Sequence, residues 1–214
     1  NMIRVPFDIE TIPTGNPEDI EIQAPANYKN PEAIQKYQDE NRDKEFRKRA
    51  LKGETCQIIS IAWAIDDGPI EAHASASEQA LIDTFLNAIR DASAAHHGRS
   101  RAVQWIGHNV LDFDIRILWQ RAIISGAIYP HIIPITTRYS GQVVYDVMKE
   151  WSGFRGFISQ DALYEALGGP PIETDCKDGS EVYDLFRAGE LEKIRQYNMA
   201  DVAKIRHNYE RMNP

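Results

Sequence analysis

The stretch Val5-Pro6-Phe7-Asp8-Ile9-Glu10-Thr11 decides how the rest of the chain is read. Ile3, Val5, Phe7 and Ile9 recur at every second position, the period of a strand with one buried face. Asp8 and Glu10 therefore share the opposite face. Two neighbouring carboxylates at a strand's end repel each other unless a cation sits between them. The pair reads either as half of a metal site or as an exposed strand face carrying two solvated acids, and only residues farther along the chain separate these readings.

With 214 residues, the chain has the size of one domain with a core large enough to cover a sheet on both faces. No apolar run approaches the length of a membrane span, and the first residues lack the pattern of a signal peptide. The expectation is a cytoplasmic protein without a membrane partner. Cys56 and Cys176 stand far apart and outside any metal-ligand spacing, which predicts free thiols. A formal net charge of −8 opposes non-specific wrapping of nucleic acid, which draws on phosphate neutralisation by Lys and Arg. It leaves room for a nucleic-acid enzyme, because acids clustered around divalent cations present positive charge to a phosphate.

Beyond the first strand, the Pro- and Asn-rich stretch 13–31 reads as a loop, followed by strong helix formers to about Leu51. Arg42, Lys44, Arg47, Lys48, Arg49 and Lys52 form one local basic run against Asp43 and Glu45, read as a solvated helix face or a backbone-contacting element. Gln57 to Ile65 is an apolar strand, paired across Asp66-Asp67-Gly68-Pro69 with Ile70 to Ala74. Ser77 suits the N-cap of a helix running to about Ala92, with Leu81, Ile82, Phe85, Leu86 and Ile89 on its buried stripe. His96 and His97 lie in a polar loop without partners at ligand spacing and read as solvated.

Val103 to Gly107 is a short buried strand leading directly into His108-Asn109 and a helix that ends near Gly126. Such a turn lies at the rim of a sheet, where α/β proteins bind ligands. Asp112 and Asp114 differ by roughly 200° around a helix axis and cannot both face one site. Asp112 suits the N-cap and Asp114 the inward face. Asp146, after a short strand, reads as a structural acid. The last helix spans about 190–211, and its Tyr197 and Asp201 lie one above the other on a single face. Asp8, Glu10, Asp114 and Asp201, gathered from separated elements near a sheet edge, would make a pocket too acidic to stand empty. Carboxylate oxygens favour Mg²⁺ or Mn²⁺ over zinc.

The segments Phe7-Asp8-Ile9-Glu10-Thr11, His108-Asn109 with Phe113-Asp114, and Tyr197-x-x-x-Asp201-Val202 resemble the three motifs of DEDD-type 3′-5′ exonucleases. Tyr197 points to the DEDDy branch. The five-residue step from Asn109 to Asp114 is similar to the proofreading domains of family B DNA polymerases, and Lys177-Asp178-Gly179-Ser180 resembles stand-alone relatives of those domains. The resemblance implies an α/β, ribonuclease-H-like fold, a mixed five-stranded sheet of antiparallel hairpin strands plus parallel strands with helices on both faces. Residues 1–214 would form one domain with a helical and loop insertion at about 14–52. Pro6 departs from expectation, because proline removes a ladder donor from a central strand; a bulge or an unpaired N–H would accommodate it.

The activity so implied is hydrolysis of the terminal phosphodiester of single-stranded or frayed DNA 3′ ends, releasing nucleoside 5′-monophosphates. Two Mg²⁺ or Mn²⁺ ions would be held by Asp8, Glu10, Asp114 and Asp201, with Tyr197 orienting the attacking water. Substrate contacts are expected from the backbone of Thr11 and Ile12 and from His108, Asn109, Phe113 and Lys177. The alternatives are a 3′-5′ exoribonuclease, a catalytically silent nucleic-acid-binding scaffold, and a metal-dependent phosphoesterase of small nucleotides.

Overall fold

The computed structural model describes residues 2–94, 101–135 and 143–214. His96 and His97 lie outside the described residues. The strands are β1 (Ile3–Pro13), β2 (Cys56–Trp63), β3 (Glu71–Ala74), β4 (Val103–Gly107) and β5 (Val144–Asp146). They form one sheet in the order β3-β2-β1-β4-β5. β1 and β2 pair antiparallel, as do β2 and β3, whereas β4 runs parallel to both β1 and β5. This is the mixed five-stranded, ribonuclease-H-like arrangement expected from the sequence. The helices are α1 (Pro31–Arg47), α2 (Glu78–Ser93), α3 (Asp114–Ser125), α4 (Val147–Ser152), α5 (Gln160–Ala166), α6 (Val182–Arg187) and α7 (Leu191–Met212). Among the described residues no helix is long and apolar enough to cross a membrane.

Alternation along the strands divides the core between two faces. Ile3, Val5, Phe7 and Ile9 join Trp63, Trp105 and the stripes of α2 and α3 on one side. Phe85 of α2 lies at the middle of its aromatic cluster, 5.5 Å from Phe7, 5.1 Å from Trp63 and 5.7 Å from Trp105 between ring centroids. The opposite face packs Ile106 against Ile205, and Ala62 and Ala72 against Val202. α7 therefore covers the face onto which Asp8 and Glu10 project.

Pro6 sits in the central strand without a bulge of its own. Its carbonyl accepts the Ala64 N–H at 3.0 Å, and lacking an N–H it cannot return the bond, so one rung beside the end of β2 is single. The register shift lies four residues later, between Glu10 and Thr11, and leaves Ile59 without an opposite residue. Ile59 and Ser60 consequently both reach the α7 side, Ile59 into an apolar cluster with Ile12 and Ile194 and Ser60 onto Asn198. The bulge thus re-aims backbone next to a carboxylate.

Two cap expectations are corrected. Ser77 holds the N-cap position of α2 without a side-chain bond to the helix; its own N–H donates to Ser75 Oγ. α3 begins at Asp114 itself, with Phe113 in the N-cap position, while Asp112 is an exposed partner of Lys149. The tight turn that precedes α3 is held from β5. Asp146 accepts the N–H groups of Asn109 and Leu111 at 3.0 and 3.1 Å, and the bonds support a left-handed Asn109 with φ of +59°. Gly107 is required here, since a Cβ would lie 2.6 Å from that of Val110.

Glu78 and Arg121 join α2, α3 and β2. Glu78 accepts the Ile58 N–H and the Nε and Nη2 donors of Arg121, and Arg121 Nη1 donates to Gly53 O. Arg121→Met strands this 8% exposed carboxylate without its cation, and should cost about 3 kcal/mol. A thermal melt is expected to fall by roughly 6–12 °C; an unchanged melting temperature would refute the role assigned to the pair.

Candidate active site

Asp8 and Glu10 leave β1 on the α7 side because the strand's odd residues are committed to the opposite core. Asp201 lies on the α7 face that meets them. Ligand oxygens of Asp8, Glu10 and Asp201 all lie within 4.8 Å of one another. Asp114, the first residue of α3, is buried beside them, and its Oδ1 accepts the Ile9 N–H at 3.4 Å. It stands outside the tight trio but within its field, since its charge acts on Asp8 and Glu10. Tyr197 stands one helical turn before Asp201 on α7, and its hydroxyl lies close enough to favour the charged Asp201 carboxylate.

The electrostatics follow from this crowding. Burial, then the charges of Asp114, Glu10 and Asp201, hold the Asp8 carboxyl well above the usual range, although an Asn198 hydrogen bond opposes them. Glu10 is raised by burial and by Asp201 and Asp114. Burial drives Asp114 up to about 7 against the pull of backbone N–H groups. Asp201 is also raised by burial, offset by Lys204. Burial first, and then the carboxylates, push the Tyr197 hydroxyl far above its ordinary value, so it stays protonated.

Several functional neighbours escaped the sequence reading. Fully buried Asn198 donates to Asp8 Oδ2 at 2.6 Å and accepts from Ser60 Oγ at 2.9 Å, fixing one oxygen of the carboxylate. Gln160 donates to both Asp201 O and Oδ1 at 3.1 Å. Lys204 bridges Asp161 at 2.7 Å and Asp201 at 3.1 Å. Lys204 was accessible in principle, being one helical turn past Asp201 on the same face. Asn198, adjacent to Tyr197, offers no comparable signal, because its value lies in a contact 190 positions away.

The expected substrate contacts divide. Lys177 is exposed and, with Tyr197 and Lys204, lines a cavity of about 640 Å³. Thr11 donates its hydroxyl to Ala50 O, holding the end of β1 against the segment after α1. The Ile12 side chain is buried in the apolar cluster with Val182 and Ile194, and the residue pairs opposite Gln57 in β2, so any ligand contact it makes is through its backbone. His108 bonds Ile158 O at 2.9 Å, and burial lowers its pKa. Phe113 packs against the main core. The Asn109 side chain is half-buried at the turn and makes no hydrogen bond among the described residues.

The donor set fits a divalent cation. Asp8 and Glu10 have no basic partner within ion-pair distance among the described residues, and a group of buried oxygens that repel one another is what a hard ion neutralises. No His or Cys joins the trio, so nothing in the donor set favours zinc.

The profile of a family described as "Predicted 3′-5′ exonuclease related to the exonuclease domain of PolB" matches residues 48–213. Asp8, Glu10 and all of α1 lie ahead of the matched stretch. No curated protein matches the chain. Among solved structures the chain is similar to the family B DNA polymerase of the hyperthermophilic archaeon Pyrobaculum calidifontis, with a TM-score of 0.63 at 15% identity, covering 99% of this chain and 24% of the polymerase. The chain thus spans about a quarter of that polymerase, and the likeness establishes the fold.

Without divalent cations the raised carboxyls bind more protons in the folded than in the unfolded state. For Asp114 this window runs from 3.8 to about 7. Stability from these groups is full below the unfolded pKa and lost as pH rises through the folded one. In EDTA the melting temperature should therefore fall from pH 5 to pH 8, Asp8→Asn should flatten the fall, and Mn²⁺ should stabilise more at pH 8. Scanning fluorimetry measures all three; a metal-free melting temperature that rises over this interval would contradict the assignment.

Proposed function

Because the chain belongs to the family of predicted 3′-5′ exonucleases related to the exonuclease domain of PolB, we propose that it hydrolyses the terminal phosphodiester at the 3′ end of a single-stranded or frayed polynucleotide, with DNA as the preferred substrate. The observation that carries this reading is the convergence of Asp8, Glu10 and Asp201, with ligand oxygens within 4.8 Å of one another, beside buried Asp114 and with Tyr197 one helical turn from Asp201. The preference for DNA rests on the likeness to a DNA polymerase.

Asp8, Glu10 and Asp201 would hold Mg²⁺ or Mn²⁺, with Asp114 completing the site for a second ion. When bound, such ions acidify a water and neutralise charge on the leaving 3′-oxygen. The chain's own groups position what reacts. Asn198 keeps one oxygen of Asp8 turned inward to the protein, which leaves the other for the site. Gln160 and Lys204 do the same for Asp201 through its Oδ1. Tyr197, protonated at neutral pH, is no general base; it orients a water or a phosphate oxygen by hydrogen bonding. The cavity of about 640 Å³ bordered by Tyr197, Lys204 and Lys177 is large enough for one nucleotide. A base paired in a duplex must first leave its stack to enter such a pocket, hence the preference for frayed ends.

The test is a digestion time course on 3′- and 5′-labelled DNA and RNA, single- and double-stranded, with and without Mn²⁺. Stepwise loss of 5′-monophosphates from the 3′ end is expected. Asp8→Ala should reduce kcat more than about a thousandfold, and Tyr197→Phe about ten- to a hundredfold. Full metal-dependent turnover by Asp8→Ala, or cleavage proceeding from the 5′ end, would overturn the proposal; a preference for RNA would redirect it to an exoribonuclease.

A further inference from the structure

α1, ahead of the family-matched residues, and the 3-10 turn Lys48–Leu51 that continues it at their start lie along the end of β1. Between them and the segment at Gly179 and Ser180 runs a groove of about 320 Å³, within the range of ligand sites. Its lining is mostly apolar surface and includes Leu51 and Tyr183 together with Lys44, Arg47 and Lys48. Thr11, the residue after Glu10 in β1, also lines it. The stretch 176–180 separates the groove from the larger cavity, since Cys176 and Lys177 line that cavity and Gly179 and Ser180 line this groove.

The cations are not equivalent. Arg47 is fixed by Asp43 and by both oxygens of Asp184, with its guanidinium 5.2 Å from the Tyr183 centroid, so it builds the wall. Lys44 has no ion pair among the described residues. Lys48 has one, to Glu45 three positions earlier, and both side chains are exposed. Pairs of that kind contribute little and exchange readily for a phosphate. Leu51 is 63% exposed between these charges, an apolar surface that a stacked base would cover. In a chain of net charge −8, cations in a mostly apolar lining at the end of β1, which carries Asp8 and Glu10, complement a single strand, which offers anionic phosphates and flat bases in alternation.

We propose that this groove binds the single-stranded polynucleotide a few nucleotides upstream of the terminal phosphodiester, with Lys44 and Lys48 on phosphates and Leu51 and Tyr183 beneath a base. The inference rests on the hydrolysis proposed above and assigns a role to the helical segment that straddles the start of the family-matched residues.

The test uses the full chain carrying Lys44→Glu with Lys48→Glu, and separately Lys44→Ala with Lys48→Ala and Leu51→Ser. Two substrates are compared: a dinucleotide too short to reach the groove, and a single-stranded oligothymidylate of about twelve nucleotides. Charge reversal should raise KM for the longer strand about tenfold or more, with kcat and dinucleotide hydrolysis within about twofold of the unsubstituted protein. In the alanine pair, the slope of log KM against log salt for the longer strand should flatten by about 1.4, each phosphate contact contributing about 0.7. Leu51→Ser should raise the same KM without changing that slope. An unchanged KM on the longer strand, or an equal loss on both substrates, would overturn the proposal. Should no polynucleotide be cleaved by the unsubstituted protein, the hydrolysis reading fails alone. The groove is then decided by fluorescence anisotropy of the fluorescein-labelled oligothymidylate in EDTA, where weaker binding by the charge-reversed protein supports it and equal binding overturns it.

Discussion

Mutual repulsion among buried carboxylates is the constraint on which the rest of this structure depends. Burial drives Asp8, Glu10, Asp114 and Asp201 toward the protonated state, and the charges of the other site acids add to it at Asp8, Glu10 and Asp114. No isolated strand or helix would hold them together at neutral pH. The scaffold does so by committing the alternate residues of β1 to the aromatic core around Phe85, so that turning Asp8 outward would exchange Phe7 and Ile9 for solvent. On the other side, Val202 and Ile205 anchor α7 to the sheet and bring Asp201 in with it. The cohesive energy is apolar, and it is distributed over both faces of the sheet.

The polar contacts around the carboxylates then assign their oxygens. Asn198 engages one oxygen of Asp8 while bonded to Ser60, and the bulge at Glu10 and Thr11 is what lets β2 present Ser60 and Ile59 on the same side. Lys204, itself anchored by Asp161, and Gln160 share Asp201 Oδ1. Each acid retains an oxygen for the centre of the site, and a cation that binds there meets partly oriented ligands rather than freely rotating ones.

Much of this was legible in the chain because it depends on period. The twofold alternation of residues 3–9 placed Asp8 and Glu10 on one face, and the four-residue step from Tyr197 to Asp201 placed those two together; both survive folding because the same periods bury the core. Features that depend on distant contacts were not legible. Ser77 and Asp112 carry good cap chemistry, yet Ser75 and Lys149 supply competing partners. Ile12 follows the acids in sequence but is drawn into an apolar cluster with α6 and α7. The basic run at 42–52 could not reveal that Arg47 is bound to Asp184 whereas Lys44 is left unpaired among the described residues. Pro6 reads as a departure that a bulge or an unpaired N–H would accommodate, and it costs one return bond beside the end of β2.

The central claim is that four carboxylates from β1, α3 and α7 converge to grip divalent cations. Anomalous scattering from crystals soaked in Mn²⁺ tests it most directly. The account predicts manganese density between the carboxylates of Asp8, Glu10 and Asp201, lost in Asp8→Asn crystals. Saturating Mn²⁺ that leaves this trio without density while binding elsewhere would contradict it.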